Sequence, residues 1–266
     1  MIELFVALVF SSLLVIAVWE WLVQKMSINA KRVYRWSGLI GVPVHEASHA
    51  LVCIVFGMRI TRMALYEPNE VTGRMGHVAF RYSPFSVAHG LGMALQAVAP
   101  LLAGAVLVHF LLAGIKGVEA PVLGVEPVAT WLIGVITATL SAAWQMTTSG
   151  PLGLLAVVLA MIVSMHAVPS LADIKTGMRG LIILGVIGGA VAIAADIFWV
   201  YEGPLGKRFG DLVALVIAKA ELGLWKAVYG VLAVVVMSVA GGVMLILLPS
   251  SVLYMKDFIR GARGAI

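Results

Sequence analysis

Cysteine is nearly missing from this chain of 266 residues. The single Cys53 excludes an internal disulfide and any zinc cluster built on several thiolates. Charge is also scarce. Asp, Glu, Lys and Arg make up 12% of the chain and hydrophobic residues 62%, whereas a soluble domain carries roughly 25% charged residues. That balance excludes an ordinary soluble globule and indicates a polytopic membrane protein. Acids are the rarer sign, 13 against 18 bases. The basic excess clusters between apolar runs, where Lys and Arg meet lipid headgroups, so it does not imply nucleic acid. No internal repeat, low-complexity tract or soluble domain interrupts this texture.

What the chain has instead is long apolar runs, about seven of them. They cover 2–23, 36–57, 87–115 (interrupted by Pro100), 129–146, 152–168, 181–201 and 224–254. The first lacks a basic leading region and is long enough to cross, so it reads as a span and not as a cleaved leader. Segments 129–146 and 152–168 are short for independent spans, and one of them is expected to be partly re-entrant. Stretch 211–221 reads as an interfacial helix or as the first turns of a long tilted one. The connector with Lys25, Lys31, Arg32 and Arg35 and the tail with Lys256, Arg260 and Arg263 orient the chain with its C-terminus in the cytoplasm. Between Arg59 and Ser83 the texture changes. Arg59 to Tyr66 and Gly76 to Tyr82 alternate, and Glu67-Pro68-Asn69-Glu70 and Thr72-Gly73 are turn material, which predicts a β-hairpin. The expected fold is all-α and polytopic, about six to seven transmembrane helices with a short hairpin. It forms one integral membrane domain over 1–266, with a core at 36–179 and further helices at 180–266.

His45-Glu46-Ala47-Ser48-His49 lies inside the second apolar segment. On a helix the two histidines stand one turn apart on one face, so both imidazoles can reach one metal ion. Glu46 is placed to take a proton from a water activated there. Ionisable residues at hydrocarbon depth are costly, so a functional reading outweighs a structural pair of buried histidines. A catalytic zinc takes three protein ligands. Asp173 is the first choice for the third, because Pro169 and Ser170 break the backbone beside it and broken backbone is tolerated where it lines a wet cavity. Helix capping by Ser170 or Asp173 is the competing explanation. His166 is the alternative ligand or a partner of one, weighed against a satisfied core histidine. His77 reads as a strand residue, His89 as interfacial, and His109 has no identifiable partner. Cys53 lies roughly 12 Å from His45 along the helix and reads as packing. Glu20 and Asp196 read as interfacial positions beside tryptophans.

These residues resemble the site-2 protease group of intramembrane zinc metalloproteases. The likeness spans 36–179. It consists of His45 to His49 in an early span, an exit at Gly57 into strand-like sequence with Gly73 and Gly76, a span with Gln96-Ala97-Val98-Ala99-Pro100, and a late proline motif bearing Asp173. The family's late motif commonly reads Asn-Pro followed by Leu-Asp-Gly. Here it is Val168-Pro169-Ser170-Leu171-Ala172-Asp173-Ile174, and no PDZ-like insertion is present. The resemblance implies a multi-pass protein of the cell membrane that cleaves a membrane-anchored protein or peptide within the lipid bilayer. Zinc and Glu46 would activate the water, and the unwound substrate would pair with the hairpin edge. Two other readings stand beside it: a non-catalytic membrane subunit with a structural or relic zinc site, and a divalent-metal transporter. The transporter is disfavoured by the few acids at membrane depth.

Overall fold

The computed structural model describes residues 25–69, 73–83, 86–113, 125–170, 172–178 and 204–252, with scattered positions in 16–23, 180–194 and 254–255. Helix α1, Ile28–Val55, begins where Ser27 accepts a hydrogen bond from the Ala30 amide (3.2 Å). It ends in a Schellman turn. The Gly57 amide bonds Ile54 O and the Met58 amide bonds Cys53 O, with Gly57 at φ +69°, a conformation natural to glycine.

The hairpin follows as β1, Arg59–Ala64, antiparallel to β2, His77–Arg81. A bulge between Ile60 and Arg62 breaks the ladder once. Ile60, Val78 and Phe80 pack onto Cys53, Met58 and Met93, which turns one hairpin face onto the helices. At the far end the Tyr66 hydroxyl donates to Arg35 O (2.8 Å). Arg35 lies some 20 residues before the end of α1, so the hairpin runs back along that helix for about 30 Å.

Helix α2 is Val87–Leu111, α3 is Val125–Thr148 and α4 is Pro151–Ala167. After a break at 168–170, a short helix α5, Ala172–Met178, leaves α4 at 59°. Helix α6, Pro204–Gly241, continues through a π-helical turn, Gly242–Leu247. Helix α4 sits at the centre and touches α1, α2, α3 and α6. Small residues let these helices approach: Gly104 faces Ala167, Gly230 faces Ala105, and Gly241 faces Met161 and Met165. The outer side of α3 exposes Leu132, Ile133, Ile136, Leu140 and Trp144, as a lipid-facing surface does.

Four helices among the described residues are long and apolar enough to cross a membrane: Ile28–Val55, Ala88–Leu111, Pro127–Thr148 and Trp225–Val252. The bent α4–α5 pair makes up to 5. One expectation changes, and one open alternative is resolved. Segment 129–146 belongs to a helix long enough to span, because Val125–Thr148 includes the less apolar turn that hydropathy trimmed. Stretch 211–221 takes the second of its two expected forms, the first part of a long continuous helix, α6. The predicted first and sixth spans, together with Glu20 and Asp196, fall largely outside the described residues.

Candidate metal centre

His45 and His49 sit on α1 where Gly41 and Pro43 precede them and α4 and α2 pack against the helix. Asp173 sits in the first turn of α5. The Pro169 break ends α4 and allows α5 to start beside α1. Ser170 caps the new helix by accepting from the Asp173 amide (3.3 Å). In return Asp173 Oδ2 accepts from the Ser170 amide and from its hydroxyl, both at 2.8 Å. The same carboxylate faces the histidines. Oδ1 is 3.5 Å from His49 Nε2 and Oδ2 is 3.7 Å from His45 Nε2. Capping and ligation are therefore compatible at this residue.

The two Nε2 atoms are 3.2 Å apart. Their protonation follows from what the other ring nitrogens touch. His45 Nδ1 lies 2.6 Å from His166 O, which only accepts, so Nδ1 carries the hydrogen. His49 Nδ1 lies 2.6 Å from Gln96 Oε1. The orientation of that amide is set by its nitrogen, which donates to His49 O (2.9 Å) and Cys53 Sγ (2.9 Å). Neutral imidazoles then turn both Nε2 lone pairs toward each other and toward a carboxylate, an arrangement that a cation stabilises. Tetrahedral coordination with metal–nitrogen bonds of about 2.0–2.1 Å places neighbouring donors about 3.3–3.4 Å apart. The three measured separations bracket that value, so His45, His49 and Asp173 form a group that can hold a metal ion.

Glu46 follows His45 on α1 and is 7% exposed. Its Cγ lies against Gly76, where a Cβ would come within 2.8 Å, so the hairpin closes onto it. Glu46, the three metal-competent side chains and the hairpin line one cleft of about 970 Å³. Arg62, Glu67 and Arg74 also line it, with Arg62 and Glu67 paired at 3.6 Å.

The other histidines lie apart from this group. The ring of His166 stacks on Tyr34 at 4.5 Å and its Nε2 bonds Ser37 Oγ at 2.9 Å. Its contribution to the centre is its main-chain carbonyl. His77 is 3.8 Å from Glu67, His89 accepts from the Ser83 amide, and His109 lies edge-on to Phe110. Sequence reasoning missed the hydrogen-bonding part of Gln96. The available signal was a lone amide in an apolar helix.

Gly41 makes room for His166. A Cβ there would lie 2.7 Å from His166 Cβ and 2.8 Å from its Cγ, near the base of that side chain where rotation cannot relieve the clash. Gly41→Ala is expected to destabilise the protein by about 1–3 kcal/mol. It should also lower metal occupancy by displacing the carbonyl that orients His45. Thermal unfolding and metal content measured together check this, and a variant with wild-type values in both would refute it.

Comparisons of this chain with protein-family models, with curated proteins and with solved structures find no match.

Proposed function

We propose that this protein is a zinc-dependent intramembrane endopeptidase of the site-2 protease kind, acting on a membrane-anchored protein or peptide. The observation that carries the reading is the pair of Nε2 atoms 3.2 Å apart beside Asp173, set in an apolar helix next to Glu46. His45, His49 and Asp173 would hold the ion. Two nitrogens and one carboxylate suit zinc and leave a position for the reaction. When bound, zinc lowers the pKa of a water and polarises a carbonyl oxygen. Glu46 takes the proton of the attacking water and returns it to the leaving amine. The carbonyl of His166 and the amide of Gln96 keep the histidine rings aimed.

A substrate helix must unwind before attack, since its carbonyls are internally bonded. The hairpin supports this step, because among the described residues each of its two strands is paired on one side only, and an extended segment can add to the other side. The cleft between hairpin and site, lined by Arg62, Glu67 and Arg74 as well as by apolar side chains, can accept that segment and admit the water that hydrolysis consumes. We place the chain in the cell membrane, with its basic C-terminal tail in the cytoplasm.

One observation favours the second reading, a non-catalytic subunit with structural zinc. The backbone of the Asp173 motif is explained by capping alone. The test is purified chain in proteoliposomes with a set of transmembrane peptides, followed by mass spectrometry. Stoichiometric zinc, cleavage abolished by a chelator and cleavage restored by zinc are expected. Zinc retained with no peptide cut would favour the subunit.

A further inference from the structure

We propose that Gln96 is the positioning residue that fixes His49 for metal binding, and that α2 thereby sets both sides of the centre. The inference rests on His45, His49 and Asp173 being metal ligands.

An unrestrained imidazole can present either nitrogen and can rotate about its last bond. His45 is restrained by a main-chain carbonyl, which a side-chain change at His166 itself does not delete. His49 depends instead on a side chain from another helix. Gln96 is 3% exposed and uses both ends of its amide. The oxygen accepts from His49 Nδ1, and the nitrogen donates to His49 O and to Cys53 Sγ. The donations orient the amide, and the oriented amide selects the tautomer that leaves Nε2 free for a metal. The same helix reaches the third ligand. Ala97 meets Gly177 of α5 so closely that a Cβ at 177 would collide with it, one turn beyond Asp173. Residue 96 thus holds the His49 ring while residue 97 seats the helix bearing Asp173. Movement of α2 relative to α1 would change the donor spacing on both sides at once.

The test uses the full chain in nanodiscs and metal alone as the probe. Wild type, Gln96→Leu, Gln96→Glu and His49→Ala are compared by zinc competition and by the visible spectrum of bound cobalt. Gln96→Leu removes the acceptor at nearly constant volume and is expected to weaken zinc by about 10–100-fold and alter the cobalt bands. Gln96→Glu keeps an oxygen that can face Nδ1 but loses both donations that orient it, and should fall between wild type and Gln96→Leu. If Gln96→Leu does not fold, Gln96→Met, an unbranched chain of equal length, carries the same expectation. Equal losses in the Leu and Glu variants mean a packing role and overturn the proposal, as does undiminished affinity in Gln96→Leu. Equal metal binding by wild type and His49→Ala overturns the ligand assignment itself. No readout depends on proteolysis, so failure of the peptidase reading registers separately.

Discussion

Glu46→Gln is expected to lower peptide cleavage by about 10²–10⁴-fold, the usual worth of a positioned general base, while zinc content stays at the wild-type level. The two halves of that result come from separate features. The metal-competent atoms belong to His45, His49 and Asp173, so removing the Glu46 charge leaves the donor set intact. The Glu46 side chain is instead packed between α1 and Gly76 on the cleft wall, where a substrate segment would lie. Gln has nearly the same shape and keeps this packing, but it cannot accept a proton at neutral pH. Single-turnover cleavage and metal analysis on the same preparation decide the matter. Cleavage by the Gln variant at the wild-type rate would remove Glu46 from the mechanism. Loss of zinc would instead make it part of the metal centre.

Asp173→Asn is expected to weaken zinc by more than about 100-fold, beyond the roughly 10–100-fold typical of an outer-shell partner. The change in folding stability should be small. Asp173 has two structural duties, and this substitution separates them. An amide oxygen can still accept from the Ser170 backbone and hydroxyl, so the start of α5 is preserved. What is lost is the negative charge 3.5 Å from His49 and 3.7 Å from His45. Asp173→Ala also removes the two bonds accepted from Ser170, leaving only the bond from the residue-173 amide to Ser170 Oγ, and should cost a further 0.5–2 kcal/mol or so in thermal unfolding. Zinc competition against a chelator reads the first effect and calorimetry the second. Wild-type affinity in Asp173→Asn would reduce Asp173 to a cap and leave the histidine pair without its third ligand.

Much of the layout was legible because it depends on local patterns. His45 and His49 are one helical turn apart in sequence, so their convergence needs only a helix. The hairpin was legible from alternation bounded by turn residues, and the observed strands fall within the expected stretches. Hydropathy misjudged continuity. It ended segment 129–146 at less apolar residues that the α3 backbone runs through, and around Lys219 and Glu221 it left open whether 211–221 was a separate helix or the start of the long α6. A helix continues wherever its backbone hydrogen bonds continue, whatever the composition of one turn.

By itself the sequence determined a membrane-embedded helical protein, a hairpin after the second apolar segment, and a pair of histidines beside a glutamate on one helix. The sequence ranked Asp173 above His166 but could not show which of them reaches the histidines, because both are single polar residues near a broken backbone. Tertiary structure shows which side chain lies beside His45 and His49. Packing turned the His166 ring onto Tyr34 and Ser37, offered only its main-chain carbonyl to His45, and brought the Asp173 carboxylate to the open nitrogens. Gln96 acquired its part in the same way, through the seating of α2 on α1. The physical reason is common to all three. A ligand set needs donors within a few ångströms in defined directions, and for residues far apart in the chain those directions exist only once the helices have packed.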